Sequence, residues 1–132
     1  MNDFSSLDGL RVLVVDDNID SLELITVILD QYGIEIITAT SAVEAIEAIA
    51  QSIPDILISD IAMPLEDGYS LIRKIRKLSP AQGGQIPAIA LTAYAKHEDR
   101  LLALEAGFQM HVPKPVDPFE LVTVVAKLAQ QI

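Results

Sequence analysis

Cysteine is absent from this 132-residue chain, which excludes disulfide scaffolds, thiolate metal sites and cysteine nucleophiles together. Basic side chains are scarce, with 9 Lys and Arg against 19 Asp and Glu and a net charge of -10. A surface of that sign repels nucleic-acid phosphate and anionic membranes, so neither is expected as a direct partner. It suits a protein that holds cations or docks on basic surfaces. Long apolar runs are missing too: none approaches the roughly 20 residues of a membrane helix, and none resembles a secretory signal. The lack of thiols is compatible with a reducing cytosol, and a cytoplasmic location is the expectation. Neither a P-loop nor a dinucleotide fingerprint occurs, and the 2 histidines do not make a metal site.

What is present is apolar sequence in short, ordered blocks. The hydrophobic fraction is 51% and the mean hydropathy +0.39, enough for one core in a chain of single-domain length. Arg11-Val12-Leu13-Val14-Val15 reads as a strand, followed at once by Asp16-Asp17. Ile19, Leu22, Ile25, Ile28, Leu29 and Tyr32 recur at helical spacing before Gly33, a C′ stop. Residues 34–40 make a second strand, and Ser41-Ala42-Val43-Glu44 opens a second helix as a capping box. A third strand, 55–59, ends at Asp60; a turn carrying Met63-Pro64 and Gly68 leads to a helix with Leu71, Ile72, Ile75 and Leu78.

Residues 79–85 read as flexible loop around Gly83-Gly84. A fourth strand, 87–91, closes on Thr92, and a helix over about 96–106 stops at Gly107. A fifth strand near 109–112 runs into Pro113-Lys114-Pro115. The last helix opens on Asp117 as N-cap, Pro118 at N1 and Glu120 at N3, with Phe119, Val122, Val125, Leu128 and Ala129 as its buried stripe. Five strand–helix units imply an α/β doubly wound parallel sheet with helices on both faces. Residues 1–8 read as a loosely held N-terminal arm, and residues 9–132 as one domain.

In such a sheet ligands bind beyond the carboxyl ends of the strands. Asp16 and Asp17 follow strand one, Asp60 strand three, Thr92 strand four and Lys114 strand five, all at one edge. Taken singly each has a bland reading: Asp16-Asp17 as a solvated strand end and helix cap, Asp60 as a turn residue, Thr92 as a strand end, Lys114 as a surface charge. The set is what weighs. Three carboxylates crowded together repel one another, and a hard dication such as Mg2+ compensates.

With Val14-Val15-Asp16-Asp17, Asp60 backed by Met63-Pro64 and Gly68, Leu91-Thr92-Ala93 and Lys114-Pro115, the chain resembles the receiver domain of two-component response regulators over about residues 9–131. The resemblance implies a flavodoxin-like strand order, 2-1-3-4-5. It implies that Asp60 is the phosphoacceptor, that Asp17 ligates Mg2+ directly and Asp16 through bound water, and that the backbone carbonyl of Ala62 is a further ligand. Thr92 matches the switch hydroxyl and Lys114 the lysine that bonds carboxylate and then phosphoryl oxygens. Pro115 matches the position of a typical cis Lys–Pro bond that aims the lysine inward.

One position departs: three residues before the lysine, where the family carries Tyr or Phe, stands His111, polar and titrating near neutrality. Tyr94 falls where the family varies and tunes dephosphorylation. The implied function is a Mg2+-dependent phosphoacceptor module with no enzymatic turnover beyond its own phosphorylation and dephosphorylation. Its partners would be a histidine kinase or histidine phosphotransfer domain and a downstream protein target, with a homodimer as an option. Stopping at helix five fits a stand-alone receiver or one cut from a hybrid histidine kinase.

Two competing functions remain in view. An aspartyl-phosphate small-molecule phosphatase usually carries a second Asp two residues after the nucleophile, where this chain has Ala62. A receiver-like scaffold that binds partners without phosphorylation would need no intact site. The basic run Arg73, Lys74, Arg76 and Lys77 reads as a solvated helix face, and His97 as an exposed residue.

Overall fold

The computed structural model describes residue 4, residues 7–93 and residues 97–131, with only the backbone of His97 and Glu98. Strands β1 (Arg11–Val15), β2 (Glu35–Ala39), β3 (Ile56–Asp60), β4 (Ala88–Thr92) and β5 (Met110–Pro113) alternate with helices α1 (Ile19–Asp30), α2 (Ala42–Gln51), α3 (Gly68–Arg76), α4 (His97–Ala106) and α5 (Pro118–Ala129). The sheet is parallel throughout, in the order β2-β1-β3-β4-β5. This is the flavodoxin-like arrangement expected from the sequence.

The two faces sort the strand residues by alternation. Val12, Val14, Ile56, Ile58, Ile89, Leu91 and Val112 meet α1 and α5 on one side. Leu13, Val15, Leu57, Ala88 and Ala90 meet α2, α3 and α4 on the other. Strands β3 and β4 are buried at every position, whereas the edge strands β2 and β5 are largely half-exposed. Central strands covered on both faces read as continuous apolar runs, which is why the sequence located them.

Two caps are as read: Ser41 accepts from the Glu44 N–H at 3.1 Å, and Asp117 from the Glu120 N–H at 2.9 Å. Helix α1 is capped instead by Asn18, which accepts from the Ser21 N–H. Glu44, however, reaches past Ser41 to the Thr40 N–H and hydroxyl, at 2.6 and 2.7 Å. Four other expectations need correction. Ile19 and Phe119 are 56% and 62% exposed. By the helical repeat each stands roughly 120° from the centre of its helix's buried arc. Leu7, read as part of a loose arm, is fully buried in the core, and Phe4 packs edge-to-face on Tyr32. Gly83 and Gly84, read as flexible loop, are both buried behind a single 3-10 turn, Pro80–Gln82. A Cβ on Gly84 would lie 2.0 Å from the Leu78 carbonyl oxygen.

The basic run also divides. Arg73, Lys74 and Lys77 are exposed, but Arg76 is half-buried. It donates through Nε and Nη2 to the Gly107 carbonyl, through Nη1 to the Gly84 carbonyl and through Nη2 to the Gln109 side chain. Arg76 thus ties the end of α3 to the end of α4.

Candidate functional site

Five polar side chains stand at the carboxyl edge of the sheet, delivered by the ends of four strands: Asp16 and Asp17 after β1, Asp60 at the end of β3, Thr92 at the end of β4 and Lys114 after β5. Asp16 leaves β1 with its N–H still bonded to the Ala39 carbonyl, which carries its side chain inward to complete burial. Its Oδ1 accepts from the Asn18 N–H at 2.9 Å, an Asx-type turn that starts α1. Asp17 faces outward and is exposed. Asp60 is the last residue of β3 and is 5% exposed, its Oδ1 accepting from the Ala62 N–H at 3.3 Å.

Gly68, the first residue of α3, lets the following loop fold tightly over Asp60. Its N–H donates to the Ile61 carbonyl at 2.9 Å, and a Cβ there would lie 2.4 Å from the Asp60 carbonyl oxygen. No larger residue fits without moving the strand end.

Lys114 closes the pocket from β5. Its N–H donates to the Thr92 carbonyl at 2.8 Å, and the Lys114–Pro115 peptide bond is cis. Its Nζ lies 3.0 Å from Asp16 Oδ2 and 3.3 Å from Asp60 Oδ2. Thr92 is 8% exposed at the end of β4. Burial raises the pKa of Asp60, the charge of Asp16 raises it further, and Lys114 and the Ala62 N–H pull the other way. Burial would lower Lys114, but its hydrogen bond to Asp16 and the charges of Asp60 and Asp16 outweigh that and hold the ammonium above its ordinary pKa.

Oxygen atoms of Asp16, Asp17 and Asp60 all lie within 4.8 Å of one another. Three carboxylates facing one ammonium leave an excess of two negative charges, a deficit that one hard dication matches, and the donors are all oxygen. The residues present therefore fit Mg2+.

Residues 12–126 match the family described as response regulator receiver domain. The chain belongs to the response regulator receiver family. An uncharacterized 14.6 kDa protein of Leptolyngbya boryana is 43% identical to this receiver over 91% of its chain and 90% of the relative. Hybrid signal transduction histidine kinase D of Dictyostelium discoideum is 34% identical over 95% of the chain, which spans only 8% of that kinase. Among solved structures, a response regulator of Chloroflexus aurantiacus superposes with a TM-score of 0.86 at 31% identity, covering 93% of this chain and 99% of that one. The receiver domain of the sensor histidine kinase PA1611 from Pseudomonas aeruginosa, with magnesium coordinated in its active-site cleft, gives 0.83 at 30% identity over 92% and 98% of the two chains. The protein is thus a receiver domain of two-component signalling, and receiver domains work with histidine kinases or phosphotransfer partners. No helix among its described residues is long and apolar enough to cross a membrane.

Around this pocket the receiver has further features. His111 pairs in register with Ala90, and by strand alternation His111, Ala90 and Thr92 share the face covered by α4. The imidazole is half-exposed in a pocket of about 160 Å³ lined also by Arg100, Leu104 and Met110. Burial lowers its pKa, the charge of Arg100 adds to this, and Glu120 opposes. Tyr94 and the side chain of His97 lie outside the described residues. Sequence reading missed the Asn18 N–H on Asp16, although Asp16 itself, an Asx-turn former just before a helix, was its signal, and it missed Leu65.

Proposed function

We propose that the receiver takes a phosphoryl group on Asp60 from the phosphohistidine of a kinase or phosphotransfer domain, in a Mg2+-dependent reaction. Asp16, Asp17, Asp60 and the Ala62 carbonyl would hold the ion, whose charge when bound offsets repulsion between carboxylate and phosphoryl oxygens. Asp60 acts as the ionised nucleophile, held so by Lys114 despite burial and the neighbouring Asp16. As transfer proceeds, the donor N–P bond breaks with its electron pair left on nitrogen. The ring takes up one proton to leave as imidazole, and an O–P bond forms to Asp60.

Lys114 stays charged throughout and moves its hydrogen bonds from the Asp60 carboxylate to the phosphoryl oxygens. Thr92 then turns its hydroxyl toward the new anion, and His111, on the same sheet face, follows. The coupled motion changes the α4–β5–α5 surface that a downstream protein reads. Water attack at phosphorus resets the site.

One observation carries this reading. A single ammonium sits 3.0 and 3.3 Å from two buried carboxylates, with a third carboxylate in the same 4.8 Å cluster. The Pseudomonas relative with magnesium in its cleft supports the choice of ion. Incubation with Mg2+ and acetyl phosphate followed by intact-mass measurement tests it. One phosphoryl adduct is expected on the wild type and none on Asp60→Asn; equal adducts on both would refute the assignment.

A further inference from the structure

Leu65 stands out in the loop between β3 and α3, five residues beyond Asp60. It is the one described non-glycine residue with a left-handed backbone, at φ +70°, a conformation that crowds Cβ against the next carbonyl oxygen. Its side chain is also fully exposed, at 109%, whereas the next most exposed large hydrophobic among the described residues reaches 63%. Full exposure leaves the side chain without packing in the isolated domain, and backbone strain at such a position points to a functional role.

The surroundings identify the partner. Ala62 and Ile19 are exposed too, two residues beyond Asp60 and Asp17 respectively, so exposed apolar residues closely follow two of the three clustered carboxylates along the chain. A protein donor must bring its phosphorylated imidazole to within about 3–3.5 Å of its near-attack position at Asp60. Its surface therefore covers the mouth of the acidic pocket.

We propose that Leu65 is a specificity-determining docking contact, inserted into an apolar patch beside the phosphohistidine of the donor protein as the phosphoryl group moves to Asp60. This rests on Asp60 being the phosphoacceptor, and it adds the chemistry of the partner surface. The negative chain alone would favour a basic partner; the exposed apolar residues that follow the carboxylates add an apolar requirement near the point of transfer.

The test compares the wild type with Leu65→Asn, which accepts the left-handed backbone but removes the apolar group, and with Leu65→Met, which keeps it. Transfer is timed from radiolabelled, autophosphorylated histidine kinases, using the fastest donor found for the wild type, and in parallel from acetyl phosphate with Mg2+. Leu65→Asn is expected to lose about 10-fold or more in kcat/KM with the kinase, as a central apolar contact would, with Leu65→Met restoring it and acetyl phosphate labelling unchanged. Equal kinase rates for Leu65→Asn and wild type overturn the proposal. So does slowing that is equal with both donors, a wild type that no protein donor phosphorylates, or a wild-type dimer that Leu65→Asn dissociates without altering transfer. A wild type that acetyl phosphate fails to label at Asp60 refutes the underlying assignment instead.

Discussion

At Lys114 one ammonium, 24% exposed, faces carboxylates of Asp16 and Asp60 that are 0% and 6% exposed. Replacing it by Met leaves two buried anions opposed with nothing between them. In the absence of Mg2+ at neutral pH the variant is expected to lose about 3 kcal/mol, the scale for removing one partner of a buried pair. Without the ammonium the Asp60 pKa rises further above its unfolded value, so the folded variant binds more protons than the unfolded chain. Its deficit therefore grows as pH rises and shrinks on acidification, a trend that chemical denaturation at several pH values measures.

His111 has the opposite sign. Its folded pKa is depressed by burial and by Arg100, so the folded state binds fewer protons than the unfolded chain below about pH 6.5. Wild type should lose stability relative to His111→Phe as pH falls through that region toward the folded pKa, and a melting series between mildly acidic and neutral pH reads the difference. At Leu65, Gly or Asn relieves the left-handed strain, and a gain of about 1 kcal/mol is expected for the isolated domain.

Elements are held by contacts that a residue-by-residue reading does not display. Helix α3 starts where Gly68 lies against the Asp60 carbonyl. Gly68→Ala should cost about 2 kcal/mol by overpacking and slow labelling at Asp60, seen as a lower Tm together with a smaller adduct fraction. At its other end Arg76 makes four hydrogen bonds to Gly107, Gly84 and Gln109. Arg76→Met should cost about 3 kcal/mol, since hydrogen bonds from a charged donor each contribute appreciably when half-buried. Such a partner cannot be read from a helical wheel, because Gly107 lies 31 residues away. Helix α4 hid its packing for a related reason: Ala103 and Ala106 are buried while Leu101, Leu102 and Leu104 are about half-exposed, so its apolar pattern points away from its packed side.

Across the whole molecule the fold was legible because three central strands are apolar on both faces and each ends on, or is followed at once by, a polar residue. That punctuation also placed Asp16, Asp60, Thr92 and Lys114 at one edge of the sheet from the sequence alone, as the structure has them. What the sequence could not carry was the shape between elements, such as the Leu65 backbone, the Arg76 clamp and the burial of Leu7. These depend on where distant chain segments meet, not on local pattern. The carboxylates of Asp16, Asp17 and Asp60 come within 4.8 Å of one another only in the folded chain, so Mg2+ held there as proposed should raise Tm, with a stabilisation that grows as ln(1 + [Mg2+]/Kd), and Asp17→Asn should blunt that rise.

The chemistry proposed for this pocket is metal-dependent phosphorylation of one carboxylate. Tandem mass spectrometry of the acetyl phosphate product, with Mg2+ and with a chelator, tests that most directly. The expected result is a single adduct mapped to Asp60 that disappears when the metal is removed. An adduct at another residue, or one at Asp60 that forms equally well in chelator, would contradict it.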